Sequence, residues 1–355
     1  MRTGGDLDGL MAVDAEILFV NQVFDKADPP KSSLELALFL FPELGHHEMS
    51  IGDLDVKALT QGTTNGLFKV SHRASAPSPV LIKVYGDGTE ITIDRSKELR
   101  IHKLLSEKQL SSSPLVRFAN GHAYQFISGI VCQESDMTQE AIWRGVAREL
   151  ARWHATLPVI DLRQDEPQKT LDLDPGVWST AKKWLDAIPT KSRQSTANKD
   201  ELEESFEYLK ERLLFNGRDP HPLVLGHGDL LCGNIIIQDT DLSGKKALPE
   251  VYSVKFIDYE HATYCPRAFE LANHFAEWAG FECDYNLLPT RATRRGFIRE
   301  YLQAHADLQS ESNGPSELPD QPQVTEAEVD ELMYQVDAFR GFPGFYWQVM
   351  ICLRS

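Results

Sequence analysis

Apolar residues before residue 128 fall mostly in short runs that are separated by turns containing glycine or asparagine. Short apolar runs bounded by such turns predict β-strands, and the two runs on either side of the turn 61–66 predict a hairpin. The strands predicted in this part of the chain cover 56–59, 67–70, 80–85 and 123–127. Two helices are also predicted, one over 33–43 capped by Ser32 or Ser33, and one over 94–108.

After residue 128 the apolar positions repeat mainly at helical spacing. Ile142, Val146 and Leu150 recur every four residues, which predicts a helix that begins near Glu140. Strands return only between about 223 and 258, and the polar segment 309–323 predicts a flexible loop. The remaining predicted helices cover 201–215, 268–279, 294–306 and a last segment that opens at 324–326.

This change of pattern predicts an α+β protein with two lobes. The smaller lobe, 1–128, is rich in strands, and the larger lobe, 129–355, is mainly helical. A chain of 355 residues is long enough for two such lobes, each with its own core.

The net charge limits the kinds of partner. The chain has 36 basic and 53 acidic residues and a formal charge of −17, which argues against nucleic acid or an anionic membrane surface as the main partner. No apolar run approaches the roughly 18 residues of a spanning helix, and the first residues do not resemble a secretory signal. The cysteine count is odd, at five, with no CxxC motif, which favours the reduced thiols of a cytoplasmic protein.

The segment 223–260 carries the candidate chemistry. An apolar run leads into His227-Gly228-Asp229, Asn234 directly precedes an apolar strand, and a second predicted strand ends at Asp258. Oxygen ligands of this kind suit Mg²⁺. Transfer of a phosphoryl group from ATP needs such a set, because one carboxylate accepts the hydroxyl proton while an Asn and a second Asp hold magnesium.

Two other interpretations of these residues stay open at this point. In the first, Asp229, Asn234 and Asp258 are a chance set of turn residues without a shared function. In the second, the chain is a metal-dependent hydrolase that uses Asp229, Asp258 and His261. The order of Asp229, Asn234 and Asp258 is that of the catalytic loop and metal-binding Asp of protein kinases. A protein kinase itself is not expected, because the chain has neither HRD nor DFG.

Several longer motifs follow one another from about residue 50 to Trp347. They are QGTTNGLFKV, VLIKVYGDGTEITIDR, FANGHAYQFISG, HGDLLCGN, FIDYEHATY, FELANHFAEWAG and VTEAEVDELMYQVDAF. These motifs resemble those of the choline/ethanolamine kinases, and the Leu-Leu-Cys after Asp229 is most similar to the ethanolamine kinase branch.

The resemblance implies a protein-kinase-like fold, a Mg²⁺ requirement and ATP as co-substrate. It implies transfer of the γ-phosphoryl group to ethanolamine, the first step of the CDP-ethanolamine route to phosphatidylethanolamine, in the cytoplasm. The N-terminal lobe, with its N-terminal extension, would cover the nucleotide, and the C-terminal lobe would hold the catalytic loop, metal and amine. The resemblance also makes a homodimer plausible.

The resemblance further assigns roles to individual residues. Asp229 matches the catalytic base, and Asn234 and Asp258 match the magnesium ligands. The amine would meet the carboxylate of Glu277 and the aromatic wall of Trp347. The residues expected to bind ATP are Lys83 and its partner Glu98, Thr63, Thr64 and Asn65 of the hairpin turn, and Gln125 and Ile127 of the hinge.

The chain departs from the family near its C-terminus. Met350 stands where the family has a second Trp, and the family's final helical segment is expected to be missing. This departure favours one alternative to an active ethanolamine kinase, a truncated, inactive nucleotide-binding homologue. Two alternatives with the same chemistry also stay open: a choline kinase, and an aminoglycoside or other small-alcohol kinase.

Overall fold

The computed structural model describes residues 17–44, 49–59, 65–73, 78–159, 176–190, 192–214, 222–238, 249–312 and 323–354. Contacts along the chain divide it into two units, Met1–Ser128 and Gly129–Ser355. The first unit contains most of the described strands, and the second contains most of the described helices.

A six-stranded sheet forms the centre of the first unit. Its order is β1-β5-β6-β4-β3-β2, and all neighbours are antiparallel except β1 and β5, which run parallel. The strands are β1 (Leu18–Val20), β2 (Leu54–Leu59), β3 (Gly66–His72), β4 (Val80–Val84), β5 (Pro114–Phe118) and β6 (Gly121–Gln125).

The hairpin prediction is confirmed, since β2 and β3 pair in register from Leu54 opposite His72 to Leu59 opposite Leu67. The strand predicted over 80–85 is β4, which is buried along its whole length. The strand predicted over 123–127 lies two residues earlier, in β6. Strand β5 was not predicted, because only alternate residues in Pro114–Phe118 are buried and Arg117 interrupts the apolar run.

Two helices accompany this sheet, α1 (Pro29–Leu40) and α2 (Arg95–Glu107). The predicted start of α1 at residue 33 was wrong. Its cap is Asp28, whose carboxylate accepts from the Lys31 amide, and the prolines that follow suit the first helical turn. Ser32 and Ser33 are instead buried inside the helix.

The prediction for α2 is confirmed, with Asp94 as its cap. The apolar face of α1 packs on the sheet, so that Leu36, Leu40 and Phe41 share one core with Phe68 and Ile82.

The second unit contains seven helices among its described residues. They are α3 (Glu140–Thr156), α4 (Gly176–Ala187), α5 (Arg193–Leu213), α6 (Arg267–Glu277), α7 (Arg291–Ser312), α8 (Glu326–Phe339) and α9 (Phe342–Arg354). Its strands are β7 (Ile130–Val131), β8 (Leu223–Gly226), β9 (Ile235–Gln238), β10 (Ser253–Phe256) and β11 (Thr263–Pro266). They form a three-stranded sheet, β10-β9-β7, and a two-stranded sheet, β11-β8.

Several boundaries in this unit differ from the predictions. Helix α5 begins eight residues early because Ser192 caps it, and α7 extends through Ser312 into the segment predicted as a loop. Helix α8 begins at Glu326, within the predicted opening 324–326, with Thr325 as its cap, but α9 follows it after a break at Arg340 and Gly341. Neither α4 nor β11 was predicted.

The described residues include no helix with the combined length and apolar character that crossing a bilayer requires. All five cysteines carry free thiols, as the odd count and the missing CxxC motif indicated.

Candidate active site

The ends of two strands position the central residues of the candidate site in the second unit. Strand β8 ends at Gly226, and the loop 227–231 carries Asp229 before a short helical turn places Asn234 at the start of β9. Strand β10 ends at Phe256, two residues before Asp258. Because β9 and β10 pair from Ile235 opposite Phe256, Asn234 and Asp258 lie at the same end of one small sheet.

His227 connects the two strand ends. Its Nε2–H donates to the carbonyl of Ile257 at 2.9 Å, and its Nδ1 accepts from the amide of Asp229 at 3.4 Å. Burial lowers the pKa of His227 to about 4, so the imidazole is neutral and suited to this one-donor, one-acceptor role. These contacts hold the loop 227–231 in place, and the single imidazole proton of His227 is committed to the carbonyl of Ile257.

Asn234 holds Asp229 directly. Its Nδ2 donates to the carbonyl of Asp229 at 2.8 Å and to its carboxylate Oδ2 at 3.3 Å. The backbone carbonyl of Asn234 accepts from Ile257, the residue before Asp258. Asp258 itself adopts a left-handed backbone with φ of 66°, a conformation rare outside glycine and concentrated at functional sites.

The carboxylate of Asp229 has an unusual electrostatic environment. Burial raises the pKa of Asp229 well above its ordinary value, and the nearby charges of Glu277, Asp258 and Glu260 raise it further. The hydrogen bond from Asn234 acts in the opposite direction. Four carboxylates therefore influence one another here, an arrangement that a bound cation would stabilise.

One face of helix α6 contacts the loop 227–231. Residues 270, 273, 274 and 277 follow the i, i+3, i+4, i+7 spacing that places side chains on one side of a helix. Glu270 accepts from the amides of His227 at 2.8 Å and Gly228 at 3.2 Å. Burial raises the pKa of Glu270 to about 7, and these two amides act against that rise.

The next two residues of this face reach the loop's carbonyls. Asn273 donates to the carbonyl of Gly228 at 3.0 Å. His274 donates through Nδ1 to the carbonyl of Leu230 at 2.8 Å, and its Nε2 accepts from the indole of Trp278 at 3.2 Å. The loop is thus held by side chains on both sides of Asp229.

Trp347 of α9 joins the same network. Its indole N–H donates to Oδ1 of Asn273 at 2.9 Å, and it also lowers the pKa of Glu277. Burial is the larger effect and raises the pKa of Glu277 to about 7. The rings of Trp347 and His261 form a T-shaped pair with centroids 5.2 Å apart, so aromatic groups and carboxylates are neighbours here.

The residues of this unit suit a hard divalent cation. Asp258 offers carboxylate oxygens, and Asn234 has committed its amide nitrogen to Asp229, which leaves Oδ1 as its acceptor atom. An oxygen-only donor set among mutually repelling carboxylates fits Mg²⁺ and does not fit a thiolate- or imidazole-seeking metal.

In the first unit, Lys83 and Glu98 form a buried ion pair. Lys83 is the fourth of the five residues of β4, and Glu98 lies in the first turn of α2. The Nζ atom of Lys83 and Oε1 of Glu98 are 2.6 Å apart. The pairing that the resemblance suggested is therefore present. A lysine buried in a central strand needs such a partner, which argues against Lys83 as a charge that protects an exposed sheet edge.

The turn between β2 and β3 contributes one described residue of the three that were expected to bind ATP. Asn65 accepts through Oδ1 from Arg95 at 3.0 Å and from the amide of Gly86 at 3.4 Å. Thr63 and Thr64 lie outside the described residues. The turn's carboxyl end is therefore tied to α2 and to the residues after β4.

The expected hinge follows β6. The backbone amide of Gln125 donates to the carbonyl of Ser113 at 3.1 Å, and the backbone amide of Phe126 donates to the carbonyl of Pro79 at 2.9 Å. The amides of these two residues are thus engaged within the first unit.

Sequence reasoning missed Glu270, Asn273 and Arg95. The first two share the helical spacing of Glu277, so the periodicity of α6 was the signal that could have found them. Their partners are backbone atoms more than 40 residues away, which no local pattern specifies.

Comparison with known proteins gives consistent matches. The family model for choline/ethanolamine kinases matches residues 56–355. A probable ethanolamine kinase of Arabidopsis thaliana is 30% identical over 337 residues, which cover 91% of this chain and 78% of that protein. Ethanolamine kinase 1 of Mus musculus is 30% identical over 313 residues, covering 85% of this chain and 78% of that protein.

Two solved structures share the fold. An ethanolamine kinase of Plasmodium vivax superimposes with a TM-score of 0.70 at 23% identity, covering 100% of this chain and 91% of that one. A choline kinase of Cryptosporidium parvum superimposes with a TM-score of 0.68 at 20% identity, covering 90% of this chain and 89% of that one. These similarities confirm the predicted α+β, protein-kinase-like fold.

Proposed function

Because this chain belongs to the choline/ethanolamine kinase family, we propose that it transfers the γ-phosphoryl group of ATP to the hydroxyl of ethanolamine. The product, phosphoethanolamine, is the first intermediate of the CDP-ethanolamine route to phosphatidylethanolamine. The relatives cited above are named ethanolamine kinases, and they support this amine as the acceptor.

The observation that carries the proposal is the environment of Asp229. Asn234 holds its carboxylate at 3.3 Å, and burial with three neighbouring carboxylates raises its pKa. A carboxylate with a raised pKa is a stronger base, which suits removal of the hydroxyl proton as the oxygen attacks the γ-phosphorus. The backbone contacts of His227, Glu270 and Asn273 keep this base in position.

Asn234 and Asp258 would hold Mg²⁺ through their side-chain oxygens. The ion supplies charge neutralisation of the phosphate oxygens when it is bound. In the first unit, Lys83 would contact the phosphates of ATP, and Glu98 would hold its ammonium group in the required orientation. Asn65, Thr63 and Thr64 would cover the phosphates, and Gln125 and Ile127 would bind adenine.

Glu277 and Trp347 would bind the amine. A primary ammonium group carries three N–H donors that a carboxylate accepts, whereas a quaternary ammonium group has none. The acidic character around Glu277 therefore favours ethanolamine, while the aromatic face of Trp347 serves both amines. Met350 supplies a thioether in place of a second indole, which weakens recognition of a quaternary cation more than of a hydrogen-bonded one.

An assay of the purified 355-residue chain with Mg-ATP tests the proposal. Ethanolamine and choline are offered separately and in competition, and the phosphorylated product is identified by mass spectrometry. We expect phosphoethanolamine as the main product, loss of turnover in EDTA, and a fall of about 100-fold or more in kcat for Asp229→Asn with ATP affinity preserved.

Other results would change the assignment. Preferred phosphorylation of choline would make the chain a choline kinase, and ATP binding without any phosphorylated amine would make it an inactive homologue. Unchanged turnover in Asp229→Asn would remove Asp229 from the mechanism. Cytoplasmic location, which the five free cysteines favour, is tested by fractionation, and a homodimer by light scattering.

A further inference from the structure

Arg95 is the first residue of α2 and the second cation bound to Glu98. Its Nη1 lies 2.8 Å from Oε2 of Glu98, while Lys83 occupies Oε1 at 2.6 Å. Both oxygens of a buried carboxylate are therefore engaged, each by a different cation. Neither the proposed catalytic roles nor the pattern of the sequence assigns Arg95 a function.

The other branch of the guanidinium group reaches two further segments. Nη2 donates to Oγ1 of Thr89 at 2.7 Å and to Oδ1 of Asn65 at 3.0 Å. The guanidinium group lies over the ring of Tyr85, with Cζ 4.2 Å from the ring centroid. A planar fork with donors on both branches is required for this set of contacts, and lysine cannot reproduce it.

The position of Arg95 is electrostatically unfavourable for the helix alone. The N-terminal end of a helix carries partial positive charge, and cations there destabilise it. Helix stability therefore does not account for an arginine at this position. The contacts of Arg95 with Asn65, Thr89 and Glu98 account for it.

These contacts connect the turn and the ion pair. Asn65 is the described residue at the end of the turn 61–65, and Glu98 orients Lys83. We propose that Arg95 is a positioning residue that holds Asn65 and the Lys83–Glu98 pair in one fixed arrangement for the phosphates of ATP. The inference rests on the proposed function, since it concerns the binding of that co-substrate.

The test compares Arg95→Gln and Arg95→Lys with a matched control, Arg100→Gln. Arg100 lies on the same helix, and its side chain makes no hydrogen bond or ion pair within the described part of the chain. Steady-state kinetics are measured separately for ATP and for ethanolamine, and thermal melting checks folding. A purely structural role would lower the melting temperature without separating the two substrates.

We expect Arg95→Gln to lower kcat/KM for ATP by about 10- to 100-fold, the range that misplaced phosphate-binding groups produce, with KM for ethanolamine changed less than threefold. Arg95→Lys keeps the charge beside Glu98 but loses the second branch, so it should recover only part of the loss. Arg95→Ala should regain activity when guanidinium or methylguanidinium ion is added.

A double-mutant cycle between Arg95→Lys and Asn65→Ala gives a second measurement if Arg95→Gln does not fold. Coupling of the two effects on KM for ATP supports the link, and full additivity overturns it. Kinetics of Arg95→Gln equal to those of Arg100→Gln also overturn the inference. An unmutated chain that phosphorylates no amine would overturn the proposed function instead, so the two failures are distinguishable.

Discussion

Glu277 is the last residue of α6, and its pKa predicts how amine binding depends on pH. Burial raises that pKa from 4.5 to about 7. The ammonium group of the substrate stays protonated between pH 6 and 8, since alkyl ammonium groups titrate near about pH 10. Only the ionised carboxylate attracts a cation, so amine binding weakens as the pH falls through about 7.

The magnitude follows from the ionised fraction of Glu277. With a pKa of about 7, this fraction is about 0.9 at pH 8 and about 0.1 at pH 6. We therefore expect KM for ethanolamine to rise about tenfold from pH 8 to pH 6, which corresponds to about 1.4 kcal/mol. Glu277→Gln should raise KM at pH 8 by about 10- to 100-fold, through loss of a charged hydrogen-bond acceptor, and should abolish this pH dependence.

The same pKa gives the sign of the effect on stability. A carboxyl group whose pKa is raised by folding is destabilised in its ionised form, so its contribution to the free energy of unfolding falls as pH rises from 4.5 to about 7. Removing the charge in Glu277→Gln should stabilise the chain at pH 8, by at most about 3 kcal/mol, and have little effect at pH 4.5. Thermal melting at both pH values checks this sign.

The kinetic assay couples ADP release to an absorbance change at saturating Mg-ATP, with ethanolamine varied at each pH. Glu282→Gln, an exposed neighbour in the following turn, is the matched control. The reasoning about Glu277 is refuted if KM for ethanolamine stays constant in the unmutated chain from pH 8 to pH 6. It is also refuted if folded Glu277→Gln has the same KM as Glu282→Gln.

Three further substitutions give separable results. Trp347→Phe keeps an aromatic face but loses the indole N–H that donates to Asn273. Steady-state assays at saturating amine should show a kcat lower by about threefold to tenfold, as expected for one lost hydrogen bond. Asn234→Ala should raise the Mg²⁺ concentration needed for half-maximal rate by about tenfold or more in a magnesium titration, and an unchanged requirement would contradict its role as a ligand. Lys83→Met removes the proposed phosphate contact, so KM for ATP should rise about tenfold or more. It also leaves one oxygen of Glu98 without its partner, so urea unfolding should show a free energy of unfolding lower by about 1–3 kcal/mol. Normal ATP kinetics would exclude Lys83 from phosphate binding.

Features that depend on neighbouring residues were predictable from the sequence. The hairpin of β2 and β3, the buried strand β4 and the cap of α2 at Asp94 each follow from an apolar period or a capping side chain within a few residues. The order of Asp229, Asn234 and Asp258 indicated an oxygen-rich site, because each lies next to a strand end that the apolar runs already marked.

Long-range packing decided what the sequence could not specify. The partners of Glu270 and Asn273 are backbone groups of the catalytic loop, and Arg95 joins Asn65 to Glu98 across three segments of the first unit. Strand β11 exists because it pairs with β8. Hydrogen bonds of this kind form only when burial brings distant segments together and removes water from their polar groups. The local sequence therefore determines the candidate residues, and the tertiary structure determines their partners and their pKa values.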